Sequence, residues 1–197
     1  MSKIDFSDIN VPELIADMWE PLTEEQREYL SEHFTIQNFK KNEVVHFEGE
    51  TPTHLMCLLT GKVKIYKDGV GGRSQIIRMM KPVEYFGYRA YFSEQAYVTA
   101  AAAFEQSVIC LIPMTVITKL IRQNNDLAMF FIKQLSNDLG MSDTRTVNLT
   151  QKHIRGRLAE TLLTLKKTYD VEGDGVTIAM YMAREDLANM SNMTTSN

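Results

Sequence analysis

The chain has 197 residues, 44% of them apolar, with 21 Lys or Arg against 25 Asp or Glu. This suits one large or two small soluble domains, and it excludes a protein that acts simply by being basic, a collagen-like chain and a Pro-rich disordered one. Two cysteines, Cys57 and Cys110, exclude a disulfide framework or a four-thiolate cluster in one chain; no 18-residue apolar run offers a transmembrane helix, and the polar start MSKIDFSDIN is no signal peptide, so a reduced cytoplasm is expected.

Residues 1–50 hold 4 basic and 12 acidic side chains, and their first thirty or so read as helical. Pro21 suits a first helical turn, Thr23 a cap, and Leu22, Tyr29 and Leu30 recur at helical spacing. From Phe34 the texture changes to short β-branched and aromatic runs such as NEVVHFEG, HLMCLLTGKVKIYKD, SQIIRMM and SVICLIP, separated by Gly, Pro, Asp and Asn. Gly49, Gly61, Gly69, Gly71 and Gly72 mark turns. Short strands at this spacing predict an all-β sandwich, jelly roll or barrel across about 34–113.

After Pro113 the period becomes helical. MTVITKLIRQ (114–123) reads as a short helix, and Asn124, Asn125 and Asp126 cap a long one over 124–149. Its stripe is Leu127, Phe131, Leu135, Leu139, Ser142, Thr146 and Leu149, and Gly140 interrupts it as a kink or a point of close approach. A second helix is predicted over 154–169, within a stretch (151–169) that holds five basic residues and one acidic, so a polyanion is expected to meet this end of the chain. VTIAM (176–180) reads as a short strand.

The final stretch carries the sharpest signal. A helix-turn-helix needs an inward apolar residue, a small residue at the crossing and a tight turn before a capped second helix. Leu187, Ala188 and Ser191-Asn192-Met193 meet those needs, with Asn192 the residue that tolerates a left-handed backbone and Thr194 the expected cap. The second helix would begin Thr195-Ser196-Asn197.

The order of elements resembles the cyclic-AMP receptor and fumarate-nitrate regulator (CRP/FNR) family of bacterial transcription factors. The likeness runs from about Leu22 to Asn197 through HFEGE (46–50), LLTGKVKIY (58–66), YFGYRAYF (85–92), NND (124–126), RGRLAETLL (155–163) and MAREDLANMSNMTTSN (182–197). It implies an α+β chain: an N-terminal β-roll or jelly-roll domain like a cyclic-nucleotide-binding domain (1–123), a long dimerisation helix (124–149) and a winged helix-turn-helix (150–197), incomplete in its recognition helix. The expectation is a truncated, engineered or proteolysed piece of a longer regulator, able to dimerise but not to hold operator DNA specifically.

By the same resemblance, a phosphate-cradling loop falls on Gly87, Tyr88 and Arg89, its later pair on Val98 and Thr99, and the long helix brings Ser142 and Asp143 towards a nucleotide base. Tyr88 stands where nucleotide-binding members have a ribose-gripping carboxylate, and Val98 where they have the phosphate-binding arginine. The expected effector is therefore a small molecule other than cyclic AMP, with Arg89 as the one replacement cation. Arg184, Thr194, Thr195, Ser196 and Asn197 are the expected DNA contacts, and Leu127, Phe131, Leu135 and Leu139 the homodimer seam that pairs two heads on palindromic DNA. The alternative is a small-ligand or cyclic-nucleotide module with no DNA binding of its own. No metal-ligating histidine pair, nucleophile elbow or carboxylate dyad suggests an enzyme, and neither cofactor, metal nor membrane is expected.

Overall fold

The structure is a computed structural model that describes residues 10–69 and 72–196. Three short helices open it: α1 (Val11–Leu14), α2 (Ala16–Trp19) and α3 (Glu24–Ser31). Thr23 caps α3 in a reciprocal box, its hydroxyl accepting from the Gln26 N–H while the Gln26 side chain accepts from the Thr23 N–H. Pro21 lies outside the helix, two residues before the cap.

Eight strands follow in two antiparallel four-stranded sheets. One holds β1 (Thr35–Phe39), β8 (Ser107–Pro113), β3 (His54–Thr60) and β6 (Glu84–Phe86), in that order; the other holds β2 (Val44–His46), β7 (Ala100–Ala103), β4 (Val63–Asp68) and β5 (Ser74–Met80). The apolar run of β3 is explained by burial on both faces. Met56 and Leu58 point into the roll with Phe39, Phe86 and Ile109, while Leu55, Cys57 and Leu59 face a second core under the helices. Gly61 turns β3 into β4 at φ +87°, and a Cβ there would stand 2.4 Å from the Gln106 carbonyl oxygen, so only glycine fits.

Behind the first sheet lie α4 (Tyr88–Phe92), between β6 and β7, and α5 (Met114–Gln123). The long helix α6 runs from Asn125 to Gln151, 27 residues, with the Asn124 side chain accepting from the Leu127 N–H. It continues through Gly140 as one helix. Helix α7 (Ile154–Tyr169) follows, then α8 (Arg184–Met190). VTIAM is not a strand. Among the described residues one bridge, Val171 to Ile178, forms there, because the partner segment 170–172 runs alongside for only three residues, too short for a ladder. Among the described residues no helix is long and apolar enough to cross a membrane.

Candidate effector cavity and DNA-reading head

Gly87 ends β6 and opens α4 at φ +90°, where a Cβ would come within 2.9 Å of the His54 carbonyl oxygen and 3.2 Å of the Tyr97 hydroxyl. Tyr88 is a core residue, its ring 5.3 Å from that of Phe131 on α6. Burial and the nearby Asp138 carboxylate push its hydroxyl pKa up. Arg89 and Val98 are exposed and Thr99 half-buried. The Val98 carbonyl accepts from the Lys67 ammonium at 2.9 Å, and that cation is also paired with Glu48 at 2.5 Å. Ser142 and Asp143 are exposed on α6, eleven and twelve residues past Phe131 and therefore about 17 and 18 Å along the helix. Among the described residues neither side chain hydrogen-bonds to the 87–99 segment, so the chain by itself does not join them to that loop.

A cavity lies elsewhere in the roll, and Gly87 is not among its walls. A space of about 260 Å³ opens between β1, β2, β3, the 50–53 turn and Tyr97. His46 and Tyr97 line it with their rings stacked 3.8 Å apart, and both side chains are almost wholly buried. Nδ1 of His46 and the hydroxyl of Tyr97 are sealed from solvent and find no hydrogen-bond partner among the described residues. An orphaned buried polar atom costs about 1–3 kcal/mol. Burial lowers the His46 pKa, against weaker opposing effects of the Phe47 backbone and the Glu50 carboxylate. Sequence reading missed this pair. Its one visible signal was a histidine within HFEGE, in a strand otherwise ending in valines.

The other three histidines are occupied or exposed. His33 bonds the Tyr29 carbonyl and His54 the Thr53 hydroxyl, while His153 is exposed before α7. Among the described residues no three His, Cys, Asp or Glu converge as a metal site requires. Cys57 and Cys110 face each other across β3 and β8, fully buried, and burial raises both thiol pKa values.

At the other end, α8 and the turn after it form a compact head. Asn192 takes φ +52° and reverses the chain, as its place in the turn predicts. Arg184, Thr194, Thr195 and Ser196 are exposed, and Asn197 lies outside the described residues. Thr194 caps no helix among the described residues; its hydroxyl instead meets that of Ser196 at 3.0 Å.

The head is docked on β5. Met190 and Leu187 share a cluster with Ile76, Met79, Phe104, Leu165 and Met180. Three side chains outside the head donate to its backbone: Arg73 to the Met193 carbonyl, Gln75 to that of Asn189, and Arg145 to that of Met190. Arg145 also holds the Ile76 and Ile77 carbonyls, and Lys64 pairs with Asp186 at 3.7 Å. Arg145 sits on α6 in line with Asp138, which pairs with Arg78 at 2.8 Å. Two charges continuing an apolar stripe were the legible sign of this contact, and it was missed.

The expected dimer seam needs correction. Leu127 and Phe131 are sealed in the chain's own core, and Leu135 packs against it half-buried. Of the four, only Leu139 is free, at 64% exposure. The other large apolar residues that α6 leaves open are Met129, Ile132, Met141 and Val147, at 56%, 53%, 55% and 49%.

Residues 36–124 match the cyclic nucleotide-binding domain family. An uncharacterized protein of Haemophilus influenzae is 32% identical over 116 residues, covering 58% of this chain and 87% of that one. The cAMP-activated global transcriptional regulator CRP of Salmonella typhimurium is 26% identical over 154 residues, 76% of this chain and 72% of that protein. In fold the chain is similar to FixK2 from Bradyrhizobium japonicum, with a TM-score of 0.75 at 23% identity over 83% of this chain and 79% of that one.

Proposed function

The chain belongs to the CRP/FNR family of DNA-binding transcription regulators, and from that premise we propose that it is a cytoplasmic homodimer. Its β-roll answers a small effector other than cyclic AMP and sets two reading heads on palindromic DNA. The division into an effector domain (1–123), a dimerisation helix and a head (150–197) goes with this proposal. The observation that carries it is the α8-turn unit, whose left-handed Asn192 leaves Arg184 and Thr194 to Ser196 facing solvent beside a long helix with an unpaired apolar stripe. Arg184 is suited to phosphate, and the short hydroxyls to phosphate or base edges.

A nuclease protection experiment on palindromes with half-sites about 34 Å apart tests this. Protection at both half-sites is expected. Arg184→Ala should weaken binding evenly across sequences and lower the salt slope by about one. No protection on any palindrome would leave the second reading, a ligand-binding module without DNA work, which the docking of the head on β5 favours.

Cyclic AMP should fail to bind at micromolar concentration in a calorimetric titration. The arginine fork that neutralises a cyclic phosphate is replaced by Val98, and Tyr88 is committed to the core. Micromolar binding of cyclic AMP or cyclic GMP would overturn this.

A further inference from the structure

We propose that the cleft between the end of β5 and the last turn of α7 binds a compact polyvalent anion, of the kind that carries two or more phosphate groups. This goes beyond the regulator reading and rests on residues outside the 87–99 loop.

The cations of the basic stretch 151–169 divide by what they meet. Lys152 pairs with Glu160 at 2.5 Å, Arg157 donates to the Leu149 carbonyl at 3.3 Å, and Arg155 is exposed in the first turn of α7. Lys166 and Lys167 have no ion-pair partner among the described residues, nor has Lys81, the residue that follows β5. All three line one space of about 530 Å³, together with Leu163, Thr168 and Asp170. Lysines in the last turn of a helix answer its dipole, which accounts for Lys166 and Lys167. It does not account for Lys81, because a third ammonium set against two others is repelled unless a counter-charge stands among them.

The chain supplies little of that counter-charge. Asp170 is the one carboxylate in the wall, and it gives one oxygen to the Val171 N–H at 2.9 Å. Glu84 accepts from the Lys81 N–H at 3.2 Å and lies outside the wall. Thr168 adds a hydroxyl. Those of Thr161 and Thr164 bond back to the carbonyls four residues before them, whereas that of Thr168 makes no such bond among the described residues. Flexible ammoniums and a hydroxyl are donors that phosphate oxygens take. The volume is that of a small-molecule site, and Leu163, 61% exposed, gives an apolar contact for the organic part of a phosphate ester. The Tyr169 hydroxyl donates to the Met80 carbonyl at 3.1 Å and so ties the two walls together. An anion seated here bridges the roll to α7, whose Leu165 belongs to the cluster under the head.

Calorimetric titration of the full chain tests this at about 0.1 M salt, where exposed charges more than about 10 Å apart are screened. Pyrophosphate should bind at least tenfold more tightly than inorganic phosphate. Lys81→Gln, Lys166→Gln and Lys167→Gln should each weaken it several-fold, and Lys41→Gln, which removes an exposed lysine elsewhere, should leave it unchanged. All four variants should keep a cooperative thermal unfolding curve. No binding of pyrophosphate, binding no tighter than that of phosphate, or an equal loss with Lys41→Gln would overturn the proposal. So would displacement of pyrophosphate by a random-sequence DNA duplex, which would give the three lysines to a nucleic-acid backbone. Half-site protection is measured on its own, so either reading can fail without the other.

Discussion

A guanidinium taken out of water keeps its charge, so Arg145 has to be met by oxygen wherever the fold puts it. It is met by the Ile76, Ile77 and Met190 carbonyls, and burial lowers its pKa from the ordinary arginine value. These bonds join three segments, α6, β5 and the end of α8, through one side chain. Arg145→Ala should therefore loosen the head more than the roll. A loss of about 2 kcal/mol is expected in urea unfolding, since bonds to charged donors contribute about 1.5–3 kcal/mol. Hydrogen exchange should quicken in 184–193 while the strands stay protected. Equal acceleration throughout would show that Arg145 supports the whole fold instead.

His46 gives a second test at this scale. Its pKa is lowered by burial, so the unfolded chain takes up a proton before the folded one does. Stability due to His46 is untouched well above the unfolded value of about 6.5 and declines as pH falls below it. His46→Phe keeps a ring against Tyr97 and removes the titration. The wild-type melting temperature should drop between about pH 7.5 and 5.5 by more than that of the variant. Parallel curves would mean that His46 does not titrate with folding.

At the scale of elements, α6 has two working faces. Leu127 and Phe131 hold it to the roll, while Met129, Ile132, Leu139 and Val147 lie on the side left open. Gly140 falls on that open side with nothing within 4 Å of where its Cβ would be, so a second helix can approach closely. Leu139→Glu should abolish dimers in sedimentation without unfolding the monomer. Leu127→Ala should cost about 2–5 kcal/mol of stability as a core truncation and leave the self-association intact. The opposite pairing of effects would restore the seam first drawn from the sequence.

That seam was misdrawn for a geometric reason. Each step of four residues overshoots a turn by about 40°, so Leu127, Phe131, Leu135 and Leu139 spiral by about 120°, from the inner face to the outer one. The helix itself was plain from Asn124 onward, because caps and apolar recurrence are local. So were the cap at Thr23, the strands after Phe34 and the left-handed turn at Asn192. VTIAM was misread because a strand needs a neighbour along its length, and composition says nothing about how far the one at 170–172 runs beside it. The pairing of His46 with Tyr97 was hidden likewise: 51 residues separate them in the chain, and only the closure of the roll stacks their rings.

For the whole molecule, the main consequence of the fold is that its head is not held by a linker alone. Met190 and Met193 are buried, three side chains grip backbone carbonyls of the head, and Lys64 meets Asp186. Sequence patterning assigned Leu187 and Ala188 to the inside of a helix-turn-helix, and the structure adds that the same unit is covered by β5. This sets a fixed relation between head and roll, which light scattering and DNA protection can probe together. A particle of 22.6 kDa at micromolar concentration, in place of twice that mass, would remove the paired-head arrangement.

Phe131 is where the ring of Tyr88 leans on the long helix, six residues from its start. That contact is a fulcrum set near one end of a beam. The remaining twenty residues form an arm of about 30 Å, so a swing of about 5° at the aromatic pivot carries the far tip by roughly 3 Å. That arm is not free, because Asp138 pairs with Arg78 and Arg145 holds the Ile76 and Ile77 carbonyls, so any such swing must break those ties or carry β5 along with it.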